Sequence, residues 1–422
     1  MSERHRDPSS AAADRIGMSR RAFLGRAGRG AALMLGSSLL AACEPDAATP
    51  SPIGAASASP SADVDWEAWW ATQRQTGRFN FANWPYYIDV RGNRRPSLDL
   101  FTEETGIHAR YYRPIKDNAG FMDSIQPYLE ADLPLFYDLI VMTNGPEVDR
   151  LIASGWLTPL DHSRLVRFRE HASDLVRDPV WDPGNRFSVA WQSGLTGIAF
   201  RPEAEEALGR RPDSIRDLFD PVFEGRVGMM SDPLDLGGAG LLALEIEPAT
   251  STEDDWRRAA DGLRQQRGDG LVRGYYGQSY LGALQRGDTW ISQAWSGDIF
   301  QAQQLGRDLS FVVPREGALL WTDNMLIPAN ARHPLDAMTY IDFVYRPEIA
   351  AMIADWVWYI CPVPEARAII ADRFGHPEVA QSQLVFPDEE TMGESMKRYP
   401  VFDGEEAAES FESIFGAVSF GL

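Results

Sequence analysis

From Arg78 onward the chain alternates short apolar runs with longer segments of helical periodicity, and this alternation is the strongest constraint on its fold. Phe79 to Ala82 predicts a strand, Pro96 to Thr105 a helix stopped by Gly106, and Ile107 to Tyr112 and Asp138 to Met142 further strands. Pro146 to Ser154, closed by Gly155, predicts the next helix. Later strands are expected at Phe187 to Trp191, Leu195 to Phe200, Arg226 to Ser231, Thr289 to Trp295 and Leu309 to Val313, with a helix from Gly238 to Ile246. Strands separated by helices build α/β sheets with largely parallel strands. No internal repeat is present, and the stretch from Arg78 to Leu422 suits two α/β lobes, with ligands bound where strand ends and lobes meet.

The first residues carry an address rather than a fold. Ser19-Arg20-Arg21-Ala22-Phe23-Leu24-Gly25 leads into an apolar run from Ala31 to Ala42 that ends Leu40-Ala41-Ala42-Cys43. That run is well short of the roughly 20 residues a membrane-spanning helix needs. The order and spacing resemble a twin-arginine signal followed by a lipobox, so residues 1–42 are expected to be a signal peptide and Cys43 the lipidated first residue of the mature protein. Residues 43–77, rich in Ala, Ser and Pro between Pro45 and Ala62, are expected to be a flexible tether to the folded body. With Cys43 consumed, Cys361 has no partner for an intrachain disulfide. The implied location is the outer face of the plasma membrane or the periplasm.

Charge narrows the partners. Forty Lys and Arg stand against 61 Asp and Glu, a formal charge of -21 that repels phosphate backbones, so nucleic acid is a poor partner and cations are favoured. No phosphate loop ends in Lys-Ser/Thr, and Lys116 and Lys397 are the two lysines of the chain. The six histidines are scattered and no thiol cluster exists, so neither a metal site nor a cofactor is expected. Ser193-Gly194 lacks the preceding Gly of a nucleophile elbow. Two readings stay open around Asp232: with Asp235 it could form the carboxylate pair of a glycosidase, and Asp235 to Gly240 could be an anion cradle or simply a turn into a helix.

Tryptophan and tyrosine gather beside isolated acids near predicted strand ends: Asn83-Trp84-Pro85-Tyr86-Tyr87, Trp295-Ser296-Gly297-Asp298, Trp321-Thr322-Asp323 and Trp358-Tyr359. Each alone could be core packing. Together they match what an aliphatic diamine requires, flat apolar walls for its methylenes and carboxylates for its ammonium ends. Each desolvated cation–π contact adds about 0.5 to 2 kcal/mol.

The stretch from Phe79 to about Arg398 resembles the bacterial spermidine/putrescine-binding proteins, the extracellular receptors of polyamine ABC transporters. The matching segments include Asn83 to Asp89, Phe101 to Ile107, Tyr137 to Val141, Asp182 to Val189, Thr196-Gly197-Ile198, Glu316-Gly317, Trp321-Thr322-Asp323 and Ile327 to Ala331. The resemblance implies a two-lobed periplasmic-binding-protein fold of type II with its ligand cleft between the lobes. The chain would cross near Gly194, Leu320 and Arg367, giving one lobe of residues 78–194 plus 320–367 and another of 195–319 plus 368–422. It implies an aromatic box of Trp84, Tyr87, Trp295, Trp321 and Tyr359, with Asp232, Asp235 and Asp323 as acids and Thr143 as a hydroxyl contact. Two departures stand out: Met142-Thr143-Asn144-Gly145-Pro146 lacks an aromatic residue usual in the family, and Arg398 falls near a position where a base would repel an ammonium. The implied protein is a monomer, not an enzyme, that captures a polyamine and delivers it to an ABC permease from a lipid anchor. A receptor for a sugar or amino-acid conjugate is the first alternative and a secreted glycosidase the second.

Overall fold

The computed structural model describes residues 64–388, 392–393 and 395–421, so the signal segment and Cys43 lie outside the described residues. The described residues place ten strands in one sheet: β1 (Arg78–Ala82), β2 (His108–Tyr112), β3 (Leu139–Thr143), β4 (Ser188–Phe200), β5 (Val227–Met230), β6 (Val272–Tyr276), β7 (Ile291–Trp295), β8 (Ser310–Val312), β9 (Ala318–Leu326) and β10 (Met396–Arg398). The main path runs β2-β1-β3-β9-β4-β7-β5-β6, with β10 beside β9 and β8 beside β4.

The two ends of this path are parallel and its middle is antiparallel. β1 pairs in parallel with β2 and β3, and β5 with β6 and β7. Parallel neighbours need crossovers, which the helices Pro96–Thr105 and Asn118–Glu130 supply at one end and Pro233–Ala243 and Glu253–Gly268 at the other. Between the two α/β units run β4 and β9, antiparallel from Ser188 opposite Leu326 to Thr196 opposite Leu319, with a register shift between Ala190 and Gln192. All 13 residues of β4 are buried. The fold is therefore two lobes joined by a pair of long strands.

Each lobe has its own aromatic packing. In the first, Phe79 meets Phe101 edge-on at 6.1 Å and Phe81 meets Trp191 at 5.7 Å. In the second, Phe411 of the C-terminal helix Glu405–Phe420 packs on Trp256 at 5.2 Å and on Phe415 at 4.6 Å. Burying a side chain of this size contributes about 1.5–3 kcal/mol.

Four expectations need correction. Phe187 to Trp191 and Leu195 to Phe200 belong to one continuous strand, β4. The run Asp235 to Gly240 is neither cradle nor turn; it lies inside the helix Pro233–Ala243, which Asp232 caps. The folded body begins before residue 78: helix Trp66–Thr72, capped by Asp65, docks through Trp70, which is buried and donates its Nε1 proton to the Pro159 carbonyl at 2.9 Å. Finally, the segment that follows Arg367 still packs on the first lobe. Ala366–Ile369 and Ile370–Phe374 pack on the helix Pro347–Val357, and the return comes from β10 onward, where Lys397 pairs with Glu247 and Tyr399 reaches Asp235, before Glu405–Phe420 packs on Pro233–Ala243 and Glu253–Gly268.

Candidate functional site

The antiparallel register of β3 and β9 sets Thr143 directly opposite Asp323. The Thr143 hydroxyl donates to Asp323 Oδ1 at 2.6 Å. Asp323 is buried, and burial pushes its carboxyl up to about 6, with the hydroxyls of Thr143 and the nearby Tyr87 pulling the other way. Tyr87 Oη completes no well-formed hydrogen bond. The Tyr87 ring meets Tyr359 edge-on at 5.4 Å, and Tyr359 lies 5.4 Å from Trp321. Tyr87, Thr143, Trp321, Asp323 and Tyr359 thus form one group.

On the second lobe, two helix N-termini carry the acids. Asp232 caps the helix Pro233–Ala243, its Oδ1 accepting from the Leu234 and Asp235 amides at 2.9 and 3.2 Å. Asp235, in the first turn, is 2% exposed and accepts from Trp295 Nε1 and Tyr399 Oη, each at 2.9 Å. Burial raises the Asp235 carboxyl, while hydrogen bonds from Thr196, Trp295 and Tyr399 oppose the rise. Asp298, in the first turn of the helix Ser296–Gln304, accepts from Tyr359 at 2.9 Å and from Tyr280 at 3.1 Å. Helix N-termini favour negative charge, which tempers the cost of holding these carboxylates away from water. Asp232 itself is exposed to solvent. The protein around it and the neighbouring carboxylates, Asp235 first, raise its carboxyl above the ordinary range.

Two links join the lobes' contributions: Tyr359 to Asp298, and Trp321 Nε1 to Thr196 Oγ1 at 3.1 Å. The rings sit close to backbone because two glycines leave room. A β-carbon at Gly194 would fall 2.4 Å from the Trp321 ring, and one at Gly297 2.7 Å from the Tyr359 ring. None of Asp232, Asp235, Asp298 and Asp323 forms an ion pair with a base among the described residues. Nor does any group of three acidic, His or Cys side chains among them stand close enough to hold a metal ion. The acids come from separate elements, Asp323 from β9 and the others from two helix N-termini.

Trp84 stands apart. It is half-buried on the loop after β1, packs on the hydrophobic core, and shares no ring contact with the other aromatics among the described residues. Its Nε1 is buried without a partner. Arg398 is exposed on β10, whereas its neighbour Tyr399 is buried with its hydroxyl on Asp235, so the doubtful base faces away and a phenol takes the position near the acid. Asp298, Tyr280, Thr196 and Tyr399 were not among the residues singled out by sequence. Asp298 follows Trp295 in a quoted cluster, but nothing local marks it as the meeting point of two distant phenols.

Two α/β lobes on a pair of shared strands, with acids and rings converging from both sides of the junction, define a solute-binding receptor. Residues 135–385, more than half of the chain, match the family model of bacterial extracellular solute-binding proteins, and the chain belongs to that family. Curated relatives include the spermidine/putrescine-binding periplasmic protein of Escherichia coli, 27% identical over 312 residues that cover 74% of this chain and 84% of the relative. The putrescine/cadaverine-binding protein of Pseudomonas aeruginosa is 29% identical over 265 residues, 60% of this chain and 72% of that one. Among solved structures, a spermidine/putrescine ABC transporter substrate-binding protein of Streptococcus pneumoniae superposes with a TM-score of 0.67 at 24% identity, covering 82% of this chain and 99% of that one. A binding protein of A. tumefaciens R10 in complex with agropinic acid superposes at 0.58 with 18% identity, covering 82% and 98%. The fold is common to receptors whose ligands differ.

Proposed function

We propose that this protein captures a linear polyamine, of the putrescine or spermidine kind, between its lobes and presents it to an ABC permease. The observation that carries this reading is the set of carboxylates Asp235, Asp298 and Asp323, walled by Trp295, Trp321, Tyr87 and Tyr359 and paired with no base among the described residues. An unpaired carboxylate withdrawn from water is costly, and an ammonium with charge-assisted hydrogen bonds offsets that cost. The spread of the acids suits a cation distributed along a chain of methylenes. The names of the Escherichia coli and Pseudomonas aeruginosa relatives support the same ligand class.

An amino-acid conjugate would need a base for its carboxylate, and Arg398, the base that the sequence raised, is exposed on β10 while its neighbour Tyr399 meets the acid. A glycosidase places its carboxylates on either side of the scissile bond, whereas Asp232 and Asp235 share one helix terminus. The working step is lobe closure about β4 and β9, a two-state equilibrium biased by a ligand that touches both lobes. The receptor acts as a monomer, held at the outer face of the membrane by lipid on Cys43 and engaging no nucleic acid; among the described residues, no helix is long and apolar enough to cross a membrane.

Isothermal titration calorimetry with putrescine, spermidine and neutral sugars tests the reading. Micromolar or tighter binding of an amine, weakened tenfold or more in Asp323→Asn with the fold intact, is expected. Binding of sugars but not amines, or an unchanged Asp323→Asn, would overturn it.

A further inference from the structure

Strand β4 carries an irregularity beside the cleft. Its pairing with β9 runs regularly from Ser188 to Ala190, which stands opposite Asn324, and resumes with Gln192 opposite Asp323, leaving Trp191 as an extra residue. A bulge of this kind re-aims the side chains that follow it. Trp191 turns into the core of the first lobe, where its ring lies 5.7 Å from Phe81 and its Nε1 donates to the Tyr87 carbonyl at 3.1 Å. In an unbroken register Trp191 would stand opposite Asp323; the bulge gives that place to Gln192. Beyond it the alternation is regular, so Gln192, Gly194 and Thr196 share a face of β4. On that face the Trp321 ring occupies the space beside Gly194 and donates to Thr196. Ser193, the next residue of the strand, exchanges backbone hydrogen bonds with Ile360, which follows Tyr359. Gln192 is thereby set among the strands that carry Thr143, Asp323 and Tyr359.

The Gln192 side chain is 2% exposed, and its Oε1 is buried with no hydrogen-bond partner among the described residues. Leaving such an acceptor unmade is costly, and folded proteins rarely do so without a use for it. Tyr87 Oη is likewise buried without a partner. Asp323, close to Tyr87, has its Oδ1 served by Thr143 alone. An amide and a phenol oxygen accept N–H bonds without adding charge, so they enlarge the acceptor set around Asp323 with no new like-charge repulsion.

We propose that Gln192 is a ligand contact, and that with Asp323 and Tyr87 it forms a nest of acceptors that takes one primary ammonium and rejects an N-methylated one. This rests on the polyamine reading of the cleft and names the kind of nitrogen that the first-lobe wall recognises. A primary ammonium carries three N–H groups, one for each acceptor residue. Every methyl group replaces a donor and leaves a buried acceptor unpaired, which discriminates more sharply than an apolar wall does against an added methyl.

The test is calorimetry on the full chain with putrescine and N,N,N′,N′-tetramethylputrescine, for the wild type and Gln192→Met, with thermal unfolding of the ligand-free proteins. The wild type is expected to bind putrescine about a hundredfold tighter than its tetramethyl analogue. Gln192→Met, which keeps the length of the side chain and removes the amide, should weaken putrescine about tenfold and the analogue less than about threefold. Its melting temperature should be no lower than that of the wild type, because the amide it removes is unsatisfied until a ligand arrives. Unchanged putrescine affinity, equal weakening of both amines, or a melting temperature lowered by more than about 5 °C would overturn the contact. Equal binding of both amines by the wild type would overturn the nest while leaving the polyamine reading intact. Binding of neither amine would remove that reading and the nest with it.

Discussion

The two walls of the cleft hold their acids by different means. On the first lobe Asp323 sits mid-strand, fixed by the register of β3 and β9 and served by the hydroxyl of Thr143 at 2.6 Å, with the Tyr87 hydroxyl nearby. On the second lobe Asp232, Asp235 and Asp298 stand at helix N-termini, and the two innermost each accept from two aromatic donors. The strand wall is rigid but poor in donors, so its acid is left wanting a cation. The helix wall is rich in donors, so its acids are oriented before any ligand arrives.

The largest expected effect comes from disturbing the rings that both walls share. Gly297→Ala drives a methyl into the Tyr359 ring and Gly194→Ala into the Trp321 ring, each costing about 1–3 kcal/mol of overpacking and lowering amine affinity tenfold or more in calorimetry. Retained affinity in both variants would mean that the ring positions do not matter.

A difference in sign between the walls is expected next. Asp323→Asn removes a buried charge while keeping an acceptor for Thr143, so the ligand-free protein should gain on the order of 1–3 kcal/mol at pH 8 in denaturant unfolding. Asp235→Asn confronts two donors, Trp295 Nε1 and Tyr399 Oη, with one remaining acceptor oxygen, so it should lose about 1–3 kcal/mol. Equal signs would erase the distinction between the walls.

The smallest effect is expected away from both. Arg150 and Glu405 pair across the lobes at 2.8 Å, with Glu405 64% exposed at its side chain. Glu405→Ala should change stability by no more than about 1 kcal/mol, and a larger loss would show that the lobes are held by this pair rather than by the cleft.

The alternation of periods made the lobes legible, since strands such as β1, β3 and β7 and the helix Pro146–Ala153 announce themselves within a few residues. Asp323 and Thr143 were legible because each stands in a short motif at a strand. Asp298 and Tyr399 were not, because their roles arise from partners far along the chain, 61 residues away in Tyr359 and 164 residues away in Asp235. The early start of the fold was hidden for the same reason, as the partner of Trp70 is Pro159, 89 residues on.

The central claim is that the cleft holds carboxylates whose charge a bound amine completes. Burial raises Asp323 to about 6, above the ordinary carboxylate value of 3.8, and raises buried Asp235 and Asp298 as well. In the ligand-free protein Asp323 therefore contributes stability that is fully present below about pH 4 and is lost as the pH rises through about 6. A bound polycation favours the charged forms and must displace their protons. Calorimetric titration with spermidine at pH 6 and pH 8, each in two buffers of different ionisation enthalpy, reads this directly. The account predicts affinity at least tenfold higher at pH 8 and release of protons on binding at pH 6. Affinity independent of pH over this range, or proton uptake on binding, would contradict it.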